Sequence, residues 1–431
     1  MTRRQFAFSS VAAFVPAQRR PNVVVFLVDD MGYGDIGSYG VKDTKTPHLD
    51  RLARDGVRLT DNYSNGPVCT PTRAALMTGR YQQRVGLEWA LVPADAGKGL
   101  SITETSLATM LKREGYKTAL FGKWHLGAEP EFGPNAHGFD EFFGILSGNV
   151  DHYSHKYRSG FSDLWENTKP VEQPGYLTDL IAERASAYVT RNVANPFFLY
   201  VAFNAVHWPF QAPGKPNDVR TSATWVDGTR RDYAQMVESV DSAVGHVLQA
   251  IDKSNLAKDT LIIFTDDNGG ERLSRNEPLF NHKQTLWEGG IRVPAIVRWT
   301  GQLPAGKVSA QATMTMDWTA TILAAAGAKP TADRPLDGMD VLPILKGNQP
   351  MRERTFCWRV NRAERKQKAV RQGKWKYVQD GAHDMLFDLE KDISERVDIA
   401  YQYPEKLVEL RVAMERWEAD LARNPPRFSV K

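Results

Sequence analysis

Cysteine is nearly absent: the chain of 431 residues holds two, Cys69 and Cys357. Two thiols allow one bridge at most, which excludes a disulfide-held scaffold and leaves the fold to its hydrophobic core. No apolar run approaches the ~20 residues that cross a bilayer, so no membrane span is expected. A large charge excess is missing too. The 55 Lys and Arg face 51 Asp and Glu, a formal +4, which argues against a nucleic-acid binder and suits an anionic ligand. Internal repeats and low-complexity tracts are also lacking. With 42% hydrophobic and 25% charged residues, and a length beyond the usual single core, the composition is that of a globular enzyme with one large and one smaller domain.

The N-terminus, MTRRQFAFSSVAAFVPAQ, has a positive start at Arg3 and Arg4, an apolar run from Phe6 to Val15 and a small-residue site at Val15-Pro16-Ala17. Residues 1–17 are therefore expected to be an export signal, twin-arginine in look, with the mature protein soluble and periplasmic or secreted. Downstream, VVVFLV at 23–28, FFLYVAF at 197–203 and LIIF at 261–264 are continuous apolar runs, the mark of strands buried on both faces. Helical patterns lie between them: Tyr233, Met236, Val237, Val240, Val244, Val247 and Ile251 in one, Leu107, Met110 and Leu111 in a shorter one. The expected class is α/β, a mainly parallel central sheet sandwiched by helices, over residues 21–335. From 336 to 431 the texture changes, and a small antiparallel sheet is expected, followed by a helix with Leu407, Leu410, Met414, Trp417 and Leu421 in register.

Polar clusters fall where the strands end. VVVFLV runs into Asp29-Asp30, and LIIFT into Asp266-Asp267-Asn268-Gly269-Gly270. Open α/β sheets bind ligands beyond the carboxyl ends of their strands, and carboxylates with an amide oxygen suit Ca²⁺ or Mg²⁺ better than zinc. Two other strands deliver His207, and Lys123 with His125, while Lys283 precedes the turn and strand of LWEGGIRVP. Histidines and lysines so placed serve a bound oxyanion and a proton donor. In VCTPTRAALMTGR, residues 68–80, a helix is expected to begin near Thr72 with Pro71 in its first turn. A helix N-terminus beside Arg73 favours an anion and lowers a thiol pKa. A cysteine hydrolase, however, has no need of hard-cation ligands. The residues alone lead to a metal-assisted attack on a tetrahedral anion, with the Cys69 side chain as nucleophile.

Cys69-Thr70-Pro71-Thr72-Arg73 through Leu76-Met77-Thr78-Gly79-Arg80 resembles the type I sulfatase signature, C-x-P-S-R followed by x-x-x-L-T-G-R. Gly115-Tyr116-Lys117-Thr118 through Gly122-Lys123-Trp124-His125-Leu126-Gly127 is similar to the family's second signature. DDMGYGD at 29–35, TPHLDRLA at 46–53, HGFDEFFG at 137–144, FTDDNGG at 264–270 and KQTLWEGGIRVP at 283–294 extend the resemblance from about residue 21 to 395. It implies an alkaline-phosphatase-like fold, a sulfuric ester hydrolase and one calcium ion. In that family a maturation enzyme oxidises the signature cysteine to formylglycine. The aldehyde hydrates, one hydroxyl attacks sulfur and displaces the alcohol, and the other later expels sulfate. Carried over by position, Asp29, Asp30, Asp267, Asn268 and the modified Cys69 would bind calcium. Arg73 would stabilise the formylglycine oxygen, Lys123 and Lys283 would neutralise sulfate, His125 would act as base and His207 would protonate the leaving oxygen. Three positions depart from the pattern: Thr72 replaces a serine, Asp266 replaces a serine and is expected to face solvent, and His282 stands beside Lys283, where it is placed to tune that lysine.

The YQQRVG continuation at 81–86 is similar to glycan-desulfating members such as N-acetylgalactosamine-6-sulfatases, so a sulfated saccharide is the expected substrate. Trp89, Trp208 and His152 are candidates for a sugar subsite. The basic run of Arg359, Arg362, Arg365, Lys366, Lys368, Arg371, Lys374 and Lys376 reads either as a strip for a polyanionic chain, with Arg359 in contact with substrate, or as a solvated hairpin. Two other readings stand beside the sulfatase: a phosphoester or phosphonate hydrolase of the same superfamily, and a non-catalytic sulfated-glycan binder that keeps Cys69 unmodified.

Overall fold

The computed structural model describes residues 20–218, 220–423 and 425–426; the expected export signal lies outside them. The strands in chain order are β1 Asn22–Val28, β2 Val57–Leu59, β3 Asn62–Tyr63, β4 Lys117–Lys123, β5 Glu141–Ile145, β6 Trp165–Glu166, β7 Lys169–Pro170, β8 Phe197–Ala202, β9 Thr260–Asp266, β10 Ala295–Arg298, β11 Lys307–Ser309, β12 Thr313–Met314, β13 Thr355–Arg362, β14 Arg365–Gln372, β15 Trp375–Asp380 and β16 His383–Asp388. The helices are α1 Pro47–Arg54, α2 Cys69–Thr78, α3 Leu107–Arg113, α4 Leu177–Arg191, α5 Arg230–Lys253, α6 Glu288–Ile291, α7 Thr315–Ala326, α8 Leu342–Leu345 and α9 Pro404–Arg423.

Ten strands form one sheet in the order β11-β2-β10-β9-β1-β8-β4-β5-β6-β7. Its centre, β9-β1-β8-β4-β5, is parallel throughout, and β10 enters antiparallel between β9 and β2. Side chains alternate across a strand, so β1 feeds two cores. Val24, Phe26 and Val28 pack with residues of α1, α4 and α5, while Val23, Val25 and Leu27 pack with residues of α2, α3 and α7. Burial on both faces is what the continuous apolar runs require. The expected long helix is α5, which Thr229 caps by accepting from the Asp232 backbone N–H.

The C-terminal meander β13-β14-β15-β16 is antiparallel, as expected. Phe356, Trp358 and Val360 face the large sheet's side with Tyr63, Leu286 and Ile291, and Cys357, Val370 and Leu386 face α9 through Leu410 and Met414. The segment before β13 belongs with the main body, since Val341, Leu342 and Leu345 sit in the core of α2, α3 and α7. Both cysteines are free and buried.

The basic run divides: Arg362 and Lys366, at the β13–β14 turn, are exposed, as in a solvated hairpin, whereas others are paired within the fold. Arg371 pairs with Asp61 at 2.6 Å and Lys376 with Glu288 at 2.7 Å and Glu395 at 2.9 Å, both in the interior, and the half-exposed Lys368 pairs with Glu418 at 2.7 Å. Among the described residues no helix is long and apolar enough to cross a membrane.

Candidate active site

The site forms where β1, β4, β8 and β9 end and α2 begins. β1 ends at Val28 and places Asp29 and Asp30, β4 ends on Lys123 with His125 just beyond, and β9 leads into Asp267 and Asn268. Helix α2 starts at Cys69, three residues before the expected Thr72, and still holds Pro71 in its first turn. Asp30 and His125 have φ of 67° and 57°. Residues other than glycine visit this left-handed region rarely, and those that do gather at functional sites. The loop after Asn268 closes tightly on α6: a Cβ on Gly269 would meet the Gly289 carbonyl oxygen at 1.9 Å.

Cys69, Asp29, Asp30, Arg73, Lys123, Asp267 and Asn268 are buried in one charged cluster. Cys69 Sγ donates to Asp29 Oδ1 at 3.4 Å and lies 3.8 Å from Lys283 Nζ. Lys123 Nζ donates to Asp29 Oδ2 at 2.6 Å, and Lys283 Nζ reaches both Asp30 oxygens at 2.6 and 2.7 Å. Arg73 donates twice to Asp267 Oδ2, at 2.9 and 2.7 Å, and once to the Lys123 carbonyl at 3.0 Å. Burial pushes Asp29 up to about 7 against the pull of Lys123. Burial would raise Asp30 as well, but Lys283 and then His207 outweigh it and hold the group down to about 2.

The Cys69 thiol departs from expectation. Burial, followed by Asp267 and Asp29, pushes it well above the usual thiol range, so desolvation and the carboxylates defeat the helix terminus and the arginine. A group held protonated in this way is a poor nucleophile.

Both histidines have assignable tautomers. His125 Nε2 is 2.8 Å from the Leu91 carbonyl and must donate to it, while its buried Nδ1 has no partner. His207 Nδ1 donates to the Trp208 carbonyl at 2.8 Å, which turns Nε2 toward Asp30 Oδ2 at 3.6 Å. Burial, then Lys123 at His125 and Lys283 at His207, keeps both rings well below the usual histidine range.

Two buried oxygens, Asp267 Oδ1 and Asn268 Oδ1, have no hydrogen-bond partner. Ligand atoms of Asp29, Asp30, Cys69 and His207 lie within 4.8 Å of one another. Orphaned polar atoms call for an explanation, and carboxylate and amide oxygens gathered in this way fit a hard cation such as Ca²⁺ or Mg²⁺.

Asp266 does not face solvent. It is fully buried at the last position of β9, with Oδ2 accepting from Met31 N at 2.9 Å and Oδ1 from Asn268 N at 3.2 Å. It therefore ties the β1 loop to the β9 loop. Burial and Asp267 raise its carboxyl well above the usual range. His282 contacts Lys283 only at the backbone, its Nδ1 lying 3.0 Å from the Lys283 carbonyl.

A cavity of about 540 Å³ opens over Cys69, His125, His207 and Lys283. Trp89 and Trp208 line it, as do Trp165 and Trp225, which sequence reasoning missed because nothing in their local pattern separates them from packing residues. His152 is fully buried, stacked on Tyr176 at 5.3 Å, and does not line the cavity. Arg359 is held by Glu88 at 2.8 Å and Glu418 at 3.4 Å and does not line it either. The reasons differ: burial against Tyr176 keeps His152 from the cavity, while carboxylates of the fold hold the Arg359 guanidinium.

The sulfatase family profile matches residues 21–328, and a profile described as "N-sulphoglucosamine sulphohydrolase, C-terminal" matches residues 277–420. The chain is similar to N-acetylgalactosamine-6-sulfatase of Homo sapiens, 37% identical over 370 residues that cover 80% of this chain and 69% of that protein. It is similar to steryl-sulfatase of Mus musculus, 33% identical over 432 residues, covering 80% and 68%. Among solved structures, Ps i-CgsB in complex with k-i-k-neocarrahexaose matches with a TM-score of 0.87 at 33% identity over 96% of each chain.

Proposed function

The chain belongs to the sulfatase family and is a sulfuric ester hydrolase, and from that premise we propose that it removes sulfate from a sulfated saccharide, using a formylglycine made from Cys69 and one calcium ion. The observation that carries this reading is the placement of a buried Cys69 among carboxylates, lysines and two orphaned oxygens at the floor of a tryptophan-walled cavity. Asp29, Asp30, Asp267 and Asn268 would hold the ion. Formylglycine would supply a hydroxyl nucleophile, and calcium would polarise it together with the sulfate oxygens.

The remaining roles fall to the chain's own residues. Lys123 and Lys283 neutralise sulfate oxygens, each exchanging part of its contact with Asp29 or Asp30 for the substrate. Arg73, fixed by Asp267 and the Lys123 carbonyl, orients the nucleophile side chain. His207, whose Nδ1–H is held by the Trp208 carbonyl, presents Nε2 to carry the proton given to the leaving alcohol. His125 has its lone pair at Nδ1 and serves as the base that helps release sulfate.

A saccharide is supported by tryptophan faces set among polar side chains such as Asn149, Asp163 and Gln284 in the cavity lining, and by the oligosaccharide named for Ps i-CgsB. The test is sulfate release from a panel of sulfated saccharides by protein co-produced with a formylglycine-generating enzyme. Release by that protein and none by Cys69→Ala is expected. Equal release by both, or a preference for phosphate esters, would contradict the reading.

A further inference from the structure

One wall of the cavity carries a tight hairpin. Lys156 and Ser162 form an antiparallel bridge, Tyr157 N donates to the Phe161 carbonyl at 2.9 Å, and Gly160 turns the chain at φ 93°. A separate segment pins the tip, Ser222 Oγ donating to the Arg158 carbonyl at 2.8 Å. The hairpin presents two stacked rings, Tyr157 and Phe161, with centroids 5.0 Å apart and planes at 19°. Phe161 remains 44% exposed. Arg158 sits beside them, its guanidinium carbon 6.0 Å from the Tyr157 ring centre.

Arg158 differs from the other cations around the cavity. Lys283 is engaged with Asp30 at 2.6 Å and Lys98 with Asp95 at 2.8 Å. Among the described residues the Arg158 guanidinium has no carboxylate partner. Tyr157, Arg158 and Phe161 nevertheless line the same cavity as Cys69, His207 and Lys283. An uncommitted guanidinium offers a planar fork for two oxygens of a sulfate, and a fixed aromatic face offers a flat apolar surface at low entropic cost.

We propose that the 156–162 hairpin is a second subsite. It stacks a saccharide ring next to the one that loses its sulfate and reads a further sulfate on that ring through Arg158. The proposal rests on the sulfatase reading above and narrows the substrate class to multiply sulfated saccharides.

The test uses the matured enzyme turning over 4-nitrophenyl sulfate, with two carrageenan hexaoses as competitors, one sulfated on alternate rings and one on every ring. The fully sulfated hexaose is expected to bind wild type about tenfold more tightly than the other, as a charge-assisted pair is worth roughly that factor. Arg158→Gln should shrink this gap to within about threefold. Phe161→Ala should weaken both hexaoses and preserve the gap. Equal inhibition constants in wild type, or a gap that survives Arg158→Gln, would overturn the subsite. A wild-type enzyme that turns over neither the aryl sulfate nor either hexaose would instead overturn the catalytic reading beneath it.

Discussion

The two histidines differ in which nitrogen the fold leaves free, and that difference divides their work. His207 is fixed at Nδ1 by the Trp208 carbonyl and faces the cavity with Nε2, whereas His125 is fixed at Nε2 and keeps Nδ1. If His207 protonates the leaving oxygen, its loss should matter most for a poor leaving group. His207→Ala is expected to lower kcat/KM on a sugar sulfate by about 10²–10⁴ and to cost far less on 4-nitrophenyl sulfate, whose phenolate leaves without a proton. Steady-state kinetics on the two substrates checks this, and an equal loss on both would remove His207 from that role. A sequence names such residues but not their tautomers, which depend on carbonyls of other segments. His152 is the instructive failure. Its polar neighbours in DHYSH suggested a sugar contact, yet the ring stacks on Tyr176 and is sealed inside.

Among the elements, strand ends were the most legible feature. Runs such as VVVFLV have no polar face and must be central strands, so the acids that follow them had to lie at the sheet's carboxyl edge. Asp266 was less legible because β9 runs two residues past LIIF and carries it into the interior. There its two oxygens receive backbone N–H groups from the Asp30 and Asp267 loops. Asp266→Ala would leave both donors buried and unpaired, at about 1–3 kcal/mol each, and would let the two loops proposed to hold the cation drift apart. Calcium affinity, read by terbium luminescence or calorimetry, should fall by about tenfold or more. Unchanged affinity in a folded Asp266→Ala protein would show that the clamp does not position the site. The 156–162 hairpin was invisible in sequence, since HKYRSGFS has neither strand nor helix periodicity.

For the molecule as a whole, the C-terminal sheet is more than an appendage. Lys376 on β15 lies fully buried between Glu288, at the start of α6, and Glu395. Helix α6 in turn receives the loop after Asn268, Gly269 N donating to the Gly290 carbonyl at 3.0 Å. Breaking a buried pair strands the remaining charge. Lys376→Ala is therefore expected to destabilise the protein by about 3–5 kcal/mol in urea unfolding, while a loss under about 1 kcal/mol, the level of a surface pair, would contradict the buried pairing. Sequence patterning disclosed the sheet and the final helix but not this link, because a basic run looks the same whether its partners are water or buried glutamates. The proposed mechanism requires that the encoded thiol is never the reacting group, and the mass of the tryptic peptide 59–73 from protein made in its native host decides it. The peptide should be about 18 Da lighter than its sequence, the change from cysteine to formylglycine; a peptide at the unmodified cysteine mass would contradict the mechanism.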